Sequence, residues 1–269
     1  MGRTGVEWAR RGDALDLLLG PPGSEGLRTL NPVVGEHLID LGCGAGPSTA
    51  PLADAVSRQG RVLAIDVSPD LIAQAQDRLA AHPHVSVAEA DAQTHSFEPQ
   101  AYDALYSRFG AMFFDQPELA FQNIRTALKP GSRAVFVAWR EAARNQWASV
   151  PMTFATDGAA PQGPQSGPGP FAWADPEVYT QQLEAGGFKD IEGTAFEFMA
   201  EICEGTDPDP VERASEFMMR IGPLAAKLRG ATPEAKAEAR SFLKQRLSRH
   251  LQDGAVRLLA SAWIVTARA

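Results

Sequence analysis

The chain has 269 residues, 25 Lys+Arg against 33 Asp+Glu for a formal net charge of −8, and two cysteines. A chain this long buries roughly 70–75% of the surface its unfolded form exposes, so a core needs no disulfide or metal. Cys43 and Cys203 form no Cys-x-x-Cys or Cys/His cluster, which counts against a disulfide framework or a structural zinc site, and no metal is expected. The acidic balance counts against a general nucleic-acid binder. No run approaches the ~18 apolar residues of a membrane span. The opening run Leu15–Leu19 is interrupted by Asp16 and lacks the unbroken apolar stretch of a secretory signal, so a soluble, cytoplasmic protein is expected.

In chain order, residues 1–30 read as an amino-terminal helical segment or lid. His37 to Leu41 is a short apolar strand ending in glycines. A helix follows over 47–58 with Pro47 at its first position. Arg61 to Asp66 is a second strand, and Ser68-Pro69-Asp70 supplies an N-cap, a first-turn proline and an acid at the positive helix end. Leu71, Ile72, Ala75 and Leu79 then recur at one-face helical spacing. Val85–Ala88, Tyr102–Ser107 and Arg133–Trp139 read as the third to fifth strands, and a helix over 117–128 stops at Lys129-Pro130-Gly131. Strands and helices alternating in this way imply right-handed βαβ units and a mainly parallel sheet.

The second half changes character. Five prolines and four glycines between 151 and 171 cannot sustain helix or central strand and read as a functional lid or a disordered loop within a 141–175 insertion. A helix near 176–186 and a strand near 188–198 follow. Residues 208–251 read as two helices, the second opening at Thr232-Pro233-Glu234 and burying Ala239, Phe242, Leu243, Leu247 and Leu251. Val256–Val265 is the last strand. The expected organisation is a core over 31–140, completed by 176–200 and 254–269, with a helical cap over 201–253. A dimer interface would give the cap helices the same pattern, so monomer and homodimer stay undecided.

The informative segment is Asp40-Leu41-Gly42-Cys43-Gly44-Ala45-Gly46. Three glycines between a strand and a helix tighten the turn and bare backbone N–H groups to a ligand. Asp66, twenty residues past Gly46 at the end of the second strand, can accept bonds from both hydroxyls of a ribose. The Gly-x-Gly-x-Gly spacing, with Pro47 where a dinucleotide fingerprint has glycine, favours a nucleoside without a pyrophosphate.

Here the chain resembles the class I S-adenosylmethionine-dependent methyltransferases, through Asp40–Gly46, Ala64-Ile65-Asp66-Val67-Ser68, Glu89-Ala90-Asp91-Ala92, Tyr102–Arg108 and Leu128-Lys129-Pro130-Gly131-Ser132. Ser107-Arg108-Phe109-Gly110, Trp139-Arg140 and Ala262-Trp263-Ile264-Val265 look like a bacterial subgroup of small-molecule enzymes. The resemblance implies a Rossmann-like, doubly wound, seven-stranded sheet with its last strand antiparallel. It implies methyl transfer from S-adenosylmethionine to a small-molecule acceptor, leaving S-adenosylhomocysteine, by placement of the acceptor in line with the S–CH3 bond.

The implied cofactor residues are Asp40, Gly42, Cys43, Gly44, Gly46, Asp66, Val67, Asp91, Ala92, Ser107 and Arg108. Asp91 stands at the adenine amino group, with an Asx turn as its ordinary alternative. Cys43 contributes backbone and not a nucleophile. No catalytic residue is identified; the candidates are His95 as a base, against a structural loop histidine, and Arg108 on an acidic acceptor or the cofactor carboxylate, against a surface ion pair. Phe109, Met112, Phe113 and Phe114 line an acceptor pocket or belong to the core, and Trp8 and Trp147 close over the site or simply pack. Two other functions stay open, a non-catalytic S-adenosylmethionine-binding regulator and a nicotinamide-dependent oxidoreductase. The missing Asp/Asn-Pro-Pro-aromatic motif after the fourth strand counts against base methylation, and Asp103 and Asp115 are no metal cluster.

Overall fold

The computed structural model describes residues 12–154, 167–203 and 208–269. Trp8 and residues 155–166, most of the expected lid, lie outside them. The sheet runs in the order β3-β2-β1-β4-β5-β8-β6. Its strands are β1 (His37–Leu41), β2 (Arg61–Asp66), β3 (Val85–Glu89), β4 (Tyr102–Arg108), β5 (Leu128–Trp139), β6 (Lys189–Ile202) and β8 (Ala255–Arg268), with a two-residue β7 (Leu251–Gln252) hairpinned onto β8. β1 to β5 are mutually parallel, and β8 is antiparallel to both β5 and β6. The expected mixed, Rossmann-like sheet with an antiparallel last strand is therefore present, enlarged by β7.

Strand order reverses between β1 and β4, whose registers place Asp40 beside Tyr106. In open α/β sheets the crevice at such a reversal, outside the carboxyl ends of the strands, is where ligands sit. β8 pairs Ala262 with Trp139, so its first residues, and β6 residues 197–202, run on past the carboxyl end of β5. The 203–254 connection consequently leaves the sheet on the crevice side.

Helices cover both faces. α1 (Gly12–Leu30) lies across β4, β5, β6 and β8. α2 (Thr49–Val56) packs on β1 and β2, α3 (Pro69–Arg78) on β2 and β3. α4 (Pro117–Ala127) packs on β5, followed in the chain by α5 (Gln146–Met152) and α6 (Pro176–Ala185). Alternation along β5 divides its side chains between the faces. Val137 meets α1 at Gly26, whereas Phe136 joins Phe121, Trp173 and Phe188 in an aromatic cluster with centroids 5.4 to 6.3 Å apart.

Several expectations change in detail. The helix expected over 47–58 is α2 followed by a 3-10 turn, and Pro47 lies ahead of it in the loop. Ser68 occupies the N-cap of α3, but its hydroxyl makes no cap bond; its N–H is taken by Asp66. Lys129-Pro130-Gly131 is no turn ahead of the strand. β5 begins at Leu128, paired with Tyr102, and passes through a register shift before Ala104. Residues 208–251 hold three helices, α7 (Pro210–Arg220), α8 (Pro223–Lys227) and α9 (Pro233–Leu247). Pro223 with Gly222 at φ 93° interrupts what periodicity alone joins. Leu251 is exposed in β7 and not buried in a helix.

Candidate active site

The loop after β1 carries three glycines with positive φ, Gly42 at 69°, Gly44 at 56° and Gly46 at 78°. Two of them have distinct physical reasons. A Cβ on Gly42 would stand 2.9 Å from Gly110 Cα, because the loops leaving β1 and β4 touch there. A Cβ on Gly44 would meet nothing within 4 Å, so this residue faces open space. Gly44 N–H donates to Asp66 Oδ2 at 2.9 Å, and Ser68 N–H to Asp66 Oδ1 at 2.9 Å. Each carboxylate oxygen keeps lone pairs for a further donor, so Asp66 is oriented by backbone and still able to accept. Burial raises its carboxyl above the usual range, opposed by those N–H groups.

Asp40 is fully buried. Its Oδ2 accepts from Ser48 Oγ at 2.9 Å and Thr49 Oγ1 at 2.6 Å, while Oδ1 is buried without a partner. Burial pushes this carboxyl up to about 6 despite the Thr49 and Ser48 hydroxyls and the nearby Arg108 guanidinium. An unpartnered carboxylate oxygen beside a glycine cradle is what a cationic amino group would complete.

Beside the cradle, a cavity of about 330 Å3 is lined by Asp16, Gly20, Gly23, Ser24 and Leu27 of α1, by Pro47, Ser48 and Pro51, and by Tyr106 and Arg108 of β4. Arg108 Nη2 donates to Asp16 Oδ1 at 3.1 Å. The buried Tyr106 hydroxyl donates to Gly23 carbonyl at 2.8 Å, and burial pushes its phenol up.

The remaining expected residues divide. Val67 is half exposed at the end of β2. Cys43 is buried against Ala64 and Ile72 with its thiol pushed far up, and its backbone is engaged as well, the N–H on Ile65 carbonyl at 3.1 Å and the carbonyl accepting from Gly46 N–H at 3.0 Å. Ser107 is fully buried and its hydroxyl donates to Leu41 carbonyl at 2.9 Å, a tie between β4 and β1. Ala92 is buried, its carbonyl taken by Asn123. Asp91 turns its Oδ1 onto the Gln93 N–H, the Asx arrangement. His95 packs edge-on against Phe97 at 4.7 Å and is absent from the cavity lining. Phe109 and Met112 are core, Phe114 packs on Phe121, and Phe113 is partly exposed. Trp147 packs between Trp139 and Phe171, its indole N–H on Asn145.

Sequence reasoning missed three groups. The Ser48 and Thr49 hydroxyls had a legible signal, since they follow the acid of the glycine motif at the first turn of a helix. Asp16 had none, lying 92 residues from its partner. Asn145, fully buried, donates to the carbonyls of Arg140, Glu141 and Ser261 and accepts from Ser261 N–H and the Trp147 indole. It thereby locks the exit of β5 to β8, where the Trp139-Arg140 and Ala262–Val265 segments meet and Arg140 lies 4.5 Å over the Trp263 ring.

Residues 38–131 match a family described as methyltransferase domain. A demethylmenaquinone methyltransferase of Clavibacter sepedonicus is 33% identical over 108 residues, 40% of this chain and 43% of that protein. An aklanonic acid methyltransferase of a Streptomyces species (strain C5) is 28% identical over 120 residues, 44% of this chain and 54% of that protein. The chain thus spans about half the length of these relatives. Among solved structures, a putative methyltransferase from Bacillus halodurans C-125 superposes with a TM-score of 0.57 at 18% identity, covering 91% of this chain and 97% of that one. Sequence motifs, sheet order and glycine cradle agree, and residues 38–131 are a methyltransferase domain of the class I S-adenosylmethionine-dependent family.

Proposed function

We propose that the chain transfers the methyl group of S-adenosylmethionine to a small-molecule acceptor, leaving S-adenosylhomocysteine. The observation that carries this is the open space over Gly44 between the buried, half-satisfied Asp40 and the backbone-oriented Asp66. When bound, the cofactor supplies a sulfonium-activated methyl group, so the protein's work is placement. Asp66 accepts from the ribose hydroxyls, the Gly42–Gly46 backbone lies against the nucleoside, and Asp40 takes the amino group. Val67 and Asp91 border the adenine side. Tyr106, with its phenol pushed up and its proton on Gly23 carbonyl, holds α1 to β4 and abstracts nothing. Catalysis by proximity and orientation fits a cavity without a poised base among its lining residues.

The helices of the 201–253 connection, leaving the sheet on the crevice side, form a cap over the acceptor. Quinone-like and polyketide-like acceptors are supported by the names of the two relatives, and nucleic acid is disfavoured by the charge of −8. Two free cysteines, Cys43 and Cys203, suit the reducing cytoplasm.

Calorimetry with S-adenosylhomocysteine tests the cofactor, and Asp66→Ala is expected to weaken binding at least tenfold. Tight NADH binding with no response to S-adenosylhomocysteine reverses the assignment to an oxidoreductase. A screen of acceptors for S-adenosylhomocysteine release tests turnover; binding without release by any acceptor favours the regulator.

A further inference from the structure

Arg108 is the one cationic side chain lining the cavity among the described residues, and its charge is already met from within the chain. Asp16 Oδ1 accepts from Nη2 alone, so the guanidinium fork is not closed bidentately, the geometry that carboxylates favour. The side chains of this pair are 12% and 33% exposed, and Asp16 also lies 3.8 Å from Arg78 of α3. α1 therefore reaches over the glycine-loop side of the crevice with an acid at its tip.

The helix that carries Asp16 is interrupted in its hydrogen bonding past Gly20, while Ala14, Leu15, Leu18 and Leu19 seat its first half in the core. Pro21 and Pro22 sit inside α1 and lack N–H groups, so the bonds expected to the carbonyls of Leu17 and Leu18 are missing. Gly20 next to them has no neighbour within 4 Å of its Cβ position. Beyond the prolines α1 is tied to β4: Gly23 takes the Tyr106 hydroxyl, and the Arg108 stem passes so near that a Cβ on Gly23 would stand 2.6 Å from its Cδ. Arg108 is thus held against the second half of the helix, and Asp16, a third exposed between the buried Leu15 and Leu18, reaches it from the first half with its side chain alone. On the opposite wall, Ser48 lines the same cavity and bonds Asp40, whose Oδ1 lacks a partner.

We propose that Asp16 is an internal competitor for Arg108, occupying the place of a ligand carboxylate and exchanged for it when the cavity fills. Asp16 is a positioning residue that sets affinity and selectivity for carboxylate-bearing ligands. The carboxylate comes either from the amino-acid end of the cofactor, whose ammonium would face Asp40, or from the acceptor. The proposal rests on the cofactor reading above. It exchanges one ion pair for another and makes or breaks no covalent bond.

The test is calorimetry of the full chain, wild type, Asp16→Asn and Arg108→Lys, with S-adenosylhomocysteine and with methylthioadenosine, which keeps the nucleoside and thioether but lacks the amino-acid end. Thermal melts are run alongside. Removing the competitor is expected to tighten S-adenosylhomocysteine about fivefold while the melting temperature falls or stays unchanged. Methylthioadenosine binding stays unchanged, and Arg108→Lys, losing the planar fork, weakens S-adenosylhomocysteine. A merely structural ion pair gives the opposite sign, since its loss loosens the site. If Asp16→Asn leaves both nucleosides unchanged, carboxylic-acid acceptors are compared with their methyl esters by S-adenosylhomocysteine release. A gain for the acids alone assigns the carboxylate to the acceptor. Weakened binding of S-adenosylhomocysteine in Asp16→Asn, or no gain in either arm, overturns the proposal. Wild-type protein that binds neither nucleoside overturns the cofactor reading instead.

Discussion

Gly42 and Gly44, two residues apart in one loop, separate the architecture of the cradle from its ligand. Both have positive φ, 69° and 56°, so alanine at either costs roughly 1–2 kcal/mol of backbone strain. At Gly42 the new Cβ also meets Gly110 Cα at 2.9 Å, about 1 Å inside an ordinary carbon contact, and both partners are backbone. Relief requires the carboxyl ends of β1 and β4 to move apart, adding about 1–3 kcal/mol. Gly42→Ala is therefore expected to lose about 2–5 kcal/mol, and Gly44→Ala only the first part, about 1–2 kcal/mol. In calorimetry the order inverts for what the loop binds. Gly44→Ala puts its methyl into the open space over the cradle, and S-adenosylhomocysteine affinity should fall tenfold or more. Urea unfolding supplies the stabilities. Equal destabilisation by the two variants refutes the β1–β4 contact, and Gly44→Ala protein that binds like wild type refutes the orientation of the cradle.

Asp40 carries a pH signature. Its carboxyl is raised from 3.8 to about 6, so its contribution to stability is full below the unfolded value and is lost as pH rises through about 6, about 3 kcal/mol in all. Asp40→Asn should remove that pH dependence from urea-unfolding curves between pH 4 and 7.5 and weaken S-adenosylhomocysteine binding; an unaltered pH profile refutes the burial argument. Asn145→Ala leaves Ser261 N–H and the Trp147 indole without their buried partner, while Ser261 carbonyl keeps the Arg140 N–H, so thermal or urea unfolding should show a loss of about 2 kcal/mol or more. His95→Ala should leave the methylation rate unchanged, since the ring packs on Phe97 away from the cavity lining; a large fall in rate restores His95 as a base.

The core strands were legible because each is a short apolar run closed by a turn, and β1, β2 and β4 lie within a residue or so of expectation. Asp66 was legible for a local reason, since it ends a strand at a fixed distance from the glycines. The errors fall where a local signal was outvoted from afar. Leu41 carbonyl, 66 residues away, claims the Ser107 hydroxyl, a tie that motif position does not announce. Pro130 and Gly131 read as a turn, yet pairing of Gly131 N–H with Ala269 carbonyl helps hold them in the sheet.

By itself the sequence determined the sheet-and-helix alternation, the glycine loop and the acid that answers it, because these depend on periodicity, φ preference and spacing within about 30 residues. Only the tertiary structure decided which groups share the cavity. Asp16 with Arg108, Gly42 with Gly110 and Asn145 with Ser261 are contacts across strands distant in the chain. They arise when parallel pairing brings strand ends together at the reversal between β1 and β4 and antiparallel pairing seats β8 beside β5. Such contacts leave no periodic trace in the residues between them, because what brings them together is the order of strands in the sheet.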